Sequence, residues 1–479
     1  MLAQFRLNNL TESTAIRSMG LGLAWSWAWT LWGALSSLSG GNSFGVGSSP
    51  AWLPALVSCI IALPIFGLIL KRRSGGLSRP WIAGAAVAAS GGSIALGLAV
   101  FLGAPAFLQV LAGIVVGAAT ALLYLLWTAA YARAARLRPD VVMPLCAAVT
   151  VIPIVVISGS IPLASWAFAA ALPIFSALML LAFVRRDVRP ENDAKPTAAP
   201  TSHSRNIAHL ASSAAALIAF YALIGVPSGA ATLVGSGTAA LFEGAFAALG
   251  AIVALLLALY ASNRPPTASS PDYLRWALTL AVVGALLYLQ QPESLRLLGI
   301  ALFRIAEVLA FIFLFTFVVI QGHRTASLGL PHAVVLLAAS QLGSLVGNLS
   351  GEIWGSASAN AGEFALVSLF AGLCLIASLF ARPLPEARTT PLPEASPASD
   401  DTEAVCDAIA QTYALAPRQR DVLVHLAAGR TVARTAQALT MSENTVASYV
   451  KQIYARLGVH SKQELIDFVQ CYRHNEEGR

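Results

Sequence analysis

Leu415–Val469, LAPRQRDVLVHLAAGRTVARTAQALTMSENTVASYVKQIYARLGVHSKQELIDFV, packs several short amphipathic periods into the end of a chain that is otherwise mostly apolar. Pro417 suits the first position of a helix, Gly429 its end, and Val422, Leu423, Leu426 and Ala427 fall on one inward face between them. A second helix is expected from about Val432 to Leu439. Ser442 is a good N-cap for a third, because its hydroxyl can accept from an otherwise orphaned backbone N–H of the first turn. In that third helix, Glu443 to Leu457, the residues Val446, Val450, Ile453 and Leu457 form one buried stripe. Gly458 stops it, Lys462 to Val469 makes a fourth, and an apolar-periodic segment from Glu403 to Tyr413 precedes the set.

The third helix keeps its other face for a partner. Asn444, Thr445, Ala447, Ser448, Lys451 and Gln452, with Tyr449 and Arg456 at the margins, are small, hydrogen-bonding or basic, as a helix lying in a major groove requires. Across the domain Arg418, Arg420, Arg430, Arg434, Lys451, Arg456 and Lys462 outnumber Asp421, Glu443, Glu464 and Asp467, which favours phosphate contacts over the alternative of a helical domain for protein contacts. The fixed spacing of Pro417-Arg418, Val422-Leu423, Gly429, Ala436, Leu439, Ser442, Asn444-Thr445-Val446, Val450, Leu457-Gly458-Val459 and Ser461 resembles the LuxR-type (GerE-like) helix-turn-helix. The resemblance implies base contacts from the Ala447, Ser448 and Lys451 positions, and a fourth helix that supports a homodimer on paired half-sites of double-stranded DNA. Gln419, Ala447, Tyr449 and Arg434 stand where the family usually has Glu, Lys, His and Glu, so the operator sequence is expected to differ more than the fold.

Everything before this domain points to lipid. The 479 residues are 57% hydrophobic and 11% charged, with a mean hydropathy of +0.71, against about 25% charged in soluble domains. Twelve segments are long and apolar enough to cross a hydrocarbon core: about 18–38, 51–70, 81–103, 106–130, 141–162, 164–184, 207–226, 240–261, 274–290, 295–320, 330–350 and 363–381. Pro153, Pro162 and Pro173 leave the parsing of 141–184 open. One set of alternate loops carries the Lys and Arg residues, among them Lys71, Arg72, Arg73, Arg133, Arg136, Arg185 and Arg186, and only Arg296 lies on the opposite side. Positive charge stays in the cytoplasm, so both termini are expected there, in a multi-pass protein of the cell inner membrane. A cleaved signal peptide at the first segment is disfavoured, because its apolar run is long for one.

The polar, proline-bearing loop 187–206 separates two sets of six segments, 1–186 and 207–382. This layout, with the basic, glycine-containing GLILKRRSGGLSR from Gly67 to Arg79, resembles the major facilitator superfamily, although that family's Asp is absent from the loop. The resemblance implies an all-α, twelve-helix, six-plus-six bundle. The stretch 383–402, with Pro383, Pro385, Pro391, Pro393 and Pro397, reads as a tether spanning about 25 Å, and 403–479 as the helix-turn-helix domain.

Ionisable side chains at mid-bilayer cost about 2.5–3.5 kcal/mol on insertion scales, so those that occur are worth attention. Arg304 and Glu307, three residues apart on one face of the tenth segment, and Glu243 in the eighth form either a polar ligand site or a structural ion pair. Trp25, Trp29 and Trp32 make a stripe on the first segment that either stacks a ligand or packs. Ser90, Gly91, Gly92 and Ser93, like Gly343, Gly347 and Gly351, are expected to let helices approach closely. Glu352 and Glu363 are expected to be solvated at an outer edge. The five scattered cysteines imply neither a disulfide framework nor a metal site, no cofactor is implied, and no clustered catalytic set suggests an enzyme. The expected partners are DNA, membrane lipid, a second copy of the chain on DNA and an unidentified small-molecule effector. The expected function is a one-component regulator that couples a membrane sensor to DNA, the alternative being a secondary transporter with a DNA-binding regulatory tail.

Overall fold

The computed structural model describes residues 12–38, 50–72, 77–134, 137–158, 161–188, 203–229, 239–263, 272–290, 292–324, 326–355, 361–380, 400–427, 435–436, 438–439, 441–459 and 462–477. Among these there is no strand, and the chain divides into two compact units, Met1–Leu384 and Pro385–Arg479.

In the first unit a short helix α1 (Glu12–Ser18) leads into α2 (Gly20–Leu38), α3 (Trp52–Arg72), α4 (Arg79–Phe101), α5 (Ala106–Arg133), α6 (Pro139–Val149), α7 (Val151–Ser158) and α8 (Pro162–Asp187). Then follow α9 (His203–Gly229), α10 (Ala239–Ser262), α11 (Tyr273–Tyr288), α12 (Glu293–Arg324), α13 (Ala326–Gly355) and α14 (Ala361–Phe380). Among the described residues nine helical stretches are long and apolar enough to cross a membrane, and Tyr273–Tyr288 and Glu363–Leu379 are shorter apolar helices. Large apolar side chains point outward, such as Ile65, Leu68, Leu111, Leu256 and Leu375. Such a surface suits lipid, where each backbone polar group must be satisfied inside its own helix. α12 is apolar along most of its length, Arg304 and Glu307 apart, and lies mostly inside the bundle.

The prolines act differently from one another. Pro162 takes the first turn of α8, where its missing N–H costs nothing, and Pro173 sits inside α8 without breaking it. The break falls earlier, at Thr150, three residues before Pro153, whose ring removes a backbone donor. There the Ser26 hydroxyl donates to the Thr150 carbonyl at 3.3 Å, tying the interruption to α2.

Glycine makes close helix approaches at several crossings, two of them repeated along one helix. A Cβ on Gly343 or Gly347 of α13 would lie 2.6 or 2.2 Å from the Ile218 or Ala222 carbonyl oxygen of α9. On Gly113 or Gly117 of α5 it would lie 2.5 or 1.9 Å from the carbonyl oxygens of Ala51 and Ala55. These distances leave no room for a side chain. In α4, Gly92 packs near Val116, Ser90 is buried, and Ser93 accepts the Trp27 indole N–H at 3.0 Å. Gly91, expected to serve packing, instead faces open space.

One outer-edge expectation also changes. Glu363 is not simply solvated, because its Oε1 accepts the Tyr288 hydroxyl at 2.5 Å. Arg296 lies over the ring of that same tyrosine, 5.1 Å from its centroid, which gives this cation on the otherwise cation-poor side a local setting.

The second unit contains α15 (Asp400–Thr412), α16 (Pro417–Ala427), α17 (Glu443–Leu457) and α18 (Lys462–Glu477) around its own core of Val405, Ile409, Val422, Leu423, Leu426, Val446, Ile453, Leu457, Leu465 and Val469. Half of the expected helix 432–439 and most of the proline-rich stretch 383–402 lie outside the described residues.

Candidate functional site

In the membrane unit, α2, α3, α5, α7, α9, α10, α12 and α13 surround a cavity of about 280 Å3. Glu307 on α12 is 14 residues from the start of that helix, about 21 Å along it at 1.5 Å per residue, so it lies well inside the bundle. Its carboxylate takes two partners. Oε2 faces Arg304 Nη1 at 3.2 Å, and Oε1 accepts the Trp29 indole N–H at 3.1 Å. The Arg304 guanidinium also stacks on the Trp29 ring, 4.0 Å from its centroid. Trp25, one turn earlier on α2, lies flat on Phe311 with centroids 3.8 Å apart and planes 7° from parallel. Thus α2 and α12, one from each set of six, are joined by an ion pair, an indole hydrogen bond, a cation–π contact and a ring stack.

Of the residues read as an intramembrane site, Arg304, Glu307, Trp25 and Trp29 meet at this cavity. The side chains of Glu243 and Trp32 lie outside the described residues. Trp27, between the two cavity tryptophans, turns away into the core. Sequence reading missed the cavity's polar wall on α13, formed by Ser340, Gln341, Ser344 and Asn348. Its signal was available: these positions, spaced i, i+1, i+4 and i+8, share one face of α13 beside Gly343 and Gly347.

In the second unit, α17 is closed at both ends. Ser442 Oγ accepts the Thr445 backbone N–H at 3.1 Å, and Gly458 adopts φ 69°, a left-handed turn that favours glycine. Between these caps Val446 and Ile453 are fully buried, while Asn444, Thr445, Ser448, Lys451 and Gln452 are exposed. Ala447 is half-buried, and Tyr449 packs against the core, so its ring belongs more to the interior than to the outer face.

Three side chains counted toward an outward role are engaged within the domain. Gln452 Oε1 accepts from Gln419 Nε2 at 2.6 Å, and Gln419 Oε1 accepts the Ala416 N–H at 3.0 Å, capping α16. Arg456 donates to the Ala414 carbonyl, where the chain turns at φ 49°. Arg420 holds Asp407 through two bonds of 2.5 and 3.0 Å, which pulls the Asp407 carboxyl below its ordinary range and raises the guanidinium. The exposed cation left on the outer face of α17 is Lys451. Arg430 and Arg434 lie outside the described residues, as does the Lys462 side chain.

The comparisons with known proteins agree with both geometries. Residues 413–469 match the family described as bacterial regulatory proteins, luxR family. The C-terminal unit carries a LuxR-type, DNA-binding helix-turn-helix. The membrane region is similar to solved transporters. The human organic anion transporter MFSD10 (TETRAN) matches with TM-score 0.52 at 14% identity, over 79% of this chain and 100% of that one. The E. coli fucose:proton symporter FucP matches with TM-score 0.50 at 14%, over 77% and 98%. The proton:xylose symporter XylE matches with TM-score 0.51 at 13%, over 78% and 96%. Identities this low speak for the fold alone, which is that of the major facilitator superfamily. No curated protein sequence matches the chain. The LuxR-type domain is therefore joined, in one polypeptide, to a multi-pass bundle with a transporter fold.

Proposed function

We propose that the chain is a membrane-embedded, one-component transcription regulator. The bundle binds a small molecule in the cavity between α2 and α12, and its conformational response changes how the LuxR-type domains pair or reach DNA. The observation that carries this reading is the union of a DNA-binding domain and a cavity-bearing membrane bundle in a single chain. The positive-inside pattern supports an inner-membrane location with both termini in the cytoplasm. Asn444, Thr445, Ala447, Ser448 and Lys451 are the proposed groove contacts, Lys451 reaching phosphate or guanine, and Gln452 and Arg456 hold the helix in place. Two copies bind paired half-sites through α18. The ligand acts only if it prefers one bundle conformation over another, since equal affinity shifts nothing.

The test is genome-wide occupancy of the full-length protein in its own cell beside a Ser448→Ala, Lys451→Ala variant. Discrete peaks lost in the variant support the regulator; no discrete peak under any growth condition refutes it. The likeness of the bundle to solved transporters favours a second reading, a secondary transporter with a DNA-binding regulatory tail. Substrate flux in proteoliposomes, abolished by Glu307→Gln while DNA binding persists, distinguishes the two. Neither reading calls for a catalytic step or a cofactor.

A further inference from the structure

The cavity has a chemistry more specific than its position. Its charged lining residues among the described ones are Arg304 and Glu307, and they face each other, with the carboxylate also held by Trp29. Their formal charges cancel. A charged ligand would enter a low-dielectric space whose counter-charges among the described residues are already matched, and would have to break that pair or remain uncompensated. An uncharged ligand pays neither penalty.

Aromatic rings from six helices line the space, among them Trp52, Tyr124, Tyr221 and Phe246. Drug-sized ligands occupy roughly 300–1,000 Å3, so a cavity of about 280 Å3 suits one or two fused rings. To the same lining α13 contributes Asn348, 6% exposed. Its Nδ2 donates to the Ser344 carbonyl at 2.8 Å, and since that carbonyl can only accept, the amide orientation is fixed. The Oδ1 that remains has no hydrogen-bond partner among the described residues. A buried acceptor left unpaired is costly, and a ligand N–H or O–H at this position would satisfy it.

We infer that the cavity takes a small, uncharged aromatic compound bearing a hydrogen-bond donor, its rings among the aromatic side chains and its donor on Asn348 Oδ1. This rests on the reading of the cavity as the effector site. The test uses full-length protein in lipid nanodiscs and three probes of one shape: 2-naphthol, 2-methoxynaphthalene and 2-naphthoate. Calorimetric titration is expected to give at least tenfold tighter binding for 2-naphthol than for either of the others. In Asn348→Leu, close in volume, the preference of 2-naphthol over 2-methoxynaphthalene is expected to vanish while 2-naphthoate stays weak.

Equal binding of the naphthol and its methyl ether by the unaltered protein overturns the donor assignment without recourse to any variant. Tightest binding by 2-naphthoate overturns the uncharged class, and binding of none of the three overturns the aromatic assignment. Affinity for a duplex taken from an occupancy peak is measured in the same samples. If naphthol binds as expected and DNA affinity does not move, the ligand class stands and the regulator reading falls. If naphthoate binds best and DNA affinity does move, the reverse holds.

Discussion

Replacing Glu307 by Gln would retain nearly the shape of the side chain and an oxygen for the Trp29 indole, but remove the charge facing Arg304 at 3.2 Å. Glu307 is 8% exposed and Arg304 21%, so the guanidinium loses its counter-charge in a poorly hydrated place. Breaking one side of a buried pair typically costs about 3–5 kcal/mol. The Trp29 ring remains under the guanidinium at 4.0 Å and returns about 0.5–2 kcal/mol of cation–π attraction. A net destabilisation of about 1–4.5 kcal/mol follows from those two ranges. Arg304→Met strands the carboxylate instead and is expected to cost a similar amount. The double variant leaves no unpaired charge, so its loss should be smaller than that of either single change, with a coupling of about 2–3 kcal/mol. Equilibrium unfolding by SDS titration in mixed micelles, on the four full-length proteins of the cycle, measures this. Losses that simply add would refute the pairing, because independent side chains have no coupling to lose. Glu307→Gln should also leave the cavity net positive, so 2-naphthoate should gain affinity in that variant.

In the DNA-binding unit, Ser442→Ala removes the acceptor for the Thr445 N–H and is expected to lower stability by about 1 kcal/mol, read as an earlier thermal transition of that unit. Lys451→Ala should weaken binding to all duplexes alike and flatten the dependence of log K on log salt by about one unit if the lysine contacts phosphate; a loss confined to one duplex would assign it to a base. Asp407 titrates lower in the folded unit because Arg420 binds its charged form. Its contribution is therefore present above the unfolded value near 3.8 and lost as pH falls through the lower folded one, a slope that Asp407→Asn should remove from an acid titration. Gly347→Leu would place a side chain where even a Cβ lies 2.2 Å from the Ala222 carbonyl, and should abolish the correctly folded, monodisperse bundle in size-exclusion chromatography.

How far the sequence could be read followed the range of the forces involved. Helix spans depend on local composition, and the expected segments lie within a few residues of the helices, down to the Ser442 and Gly458 ends of α17, except 141–162, which Thr150 splits into α6 and α7. Local reading also reached Arg304 and Glu307, because a charge inside an apolar run is conspicuous and a separation of three residues fixes a shared face. Periodicity also set Trp25 and Trp29 apart from Trp27, but it could not say whether their stripe meets a ligand or packs, because only the partners across the bundle, Phe311, Glu307 and Ser93, decide what each ring meets. It likewise passed over α13, where glycine and polar positions alternate within four residues. The glycines look like packing and the serines like tolerated polarity until α9 occupies one side.

The same limit applies to the outer face of α17, where composition placed Gln452 and Arg456 among the groove contacts. Both are exposed, yet each is hydrogen-bonded back into the domain, Gln452 to Gln419 and Arg456 to the turn at Ala414. A side chain that must break an internal bond to reach DNA contributes only the difference between two bonds. Asn444 and Ser448 are therefore expected to carry most of the sequence discrimination, joined by Lys451 only if it reaches a base, and Gln452 to affect it mainly by fixing the angle of α17 against α16. Gln419→Ala, at a side chain buried within the domain, should then change operator preference as much as Gln452→Ala does. If Gln452→Ala alters preference while Gln419→Ala leaves it untouched, Gln452 reads bases directly.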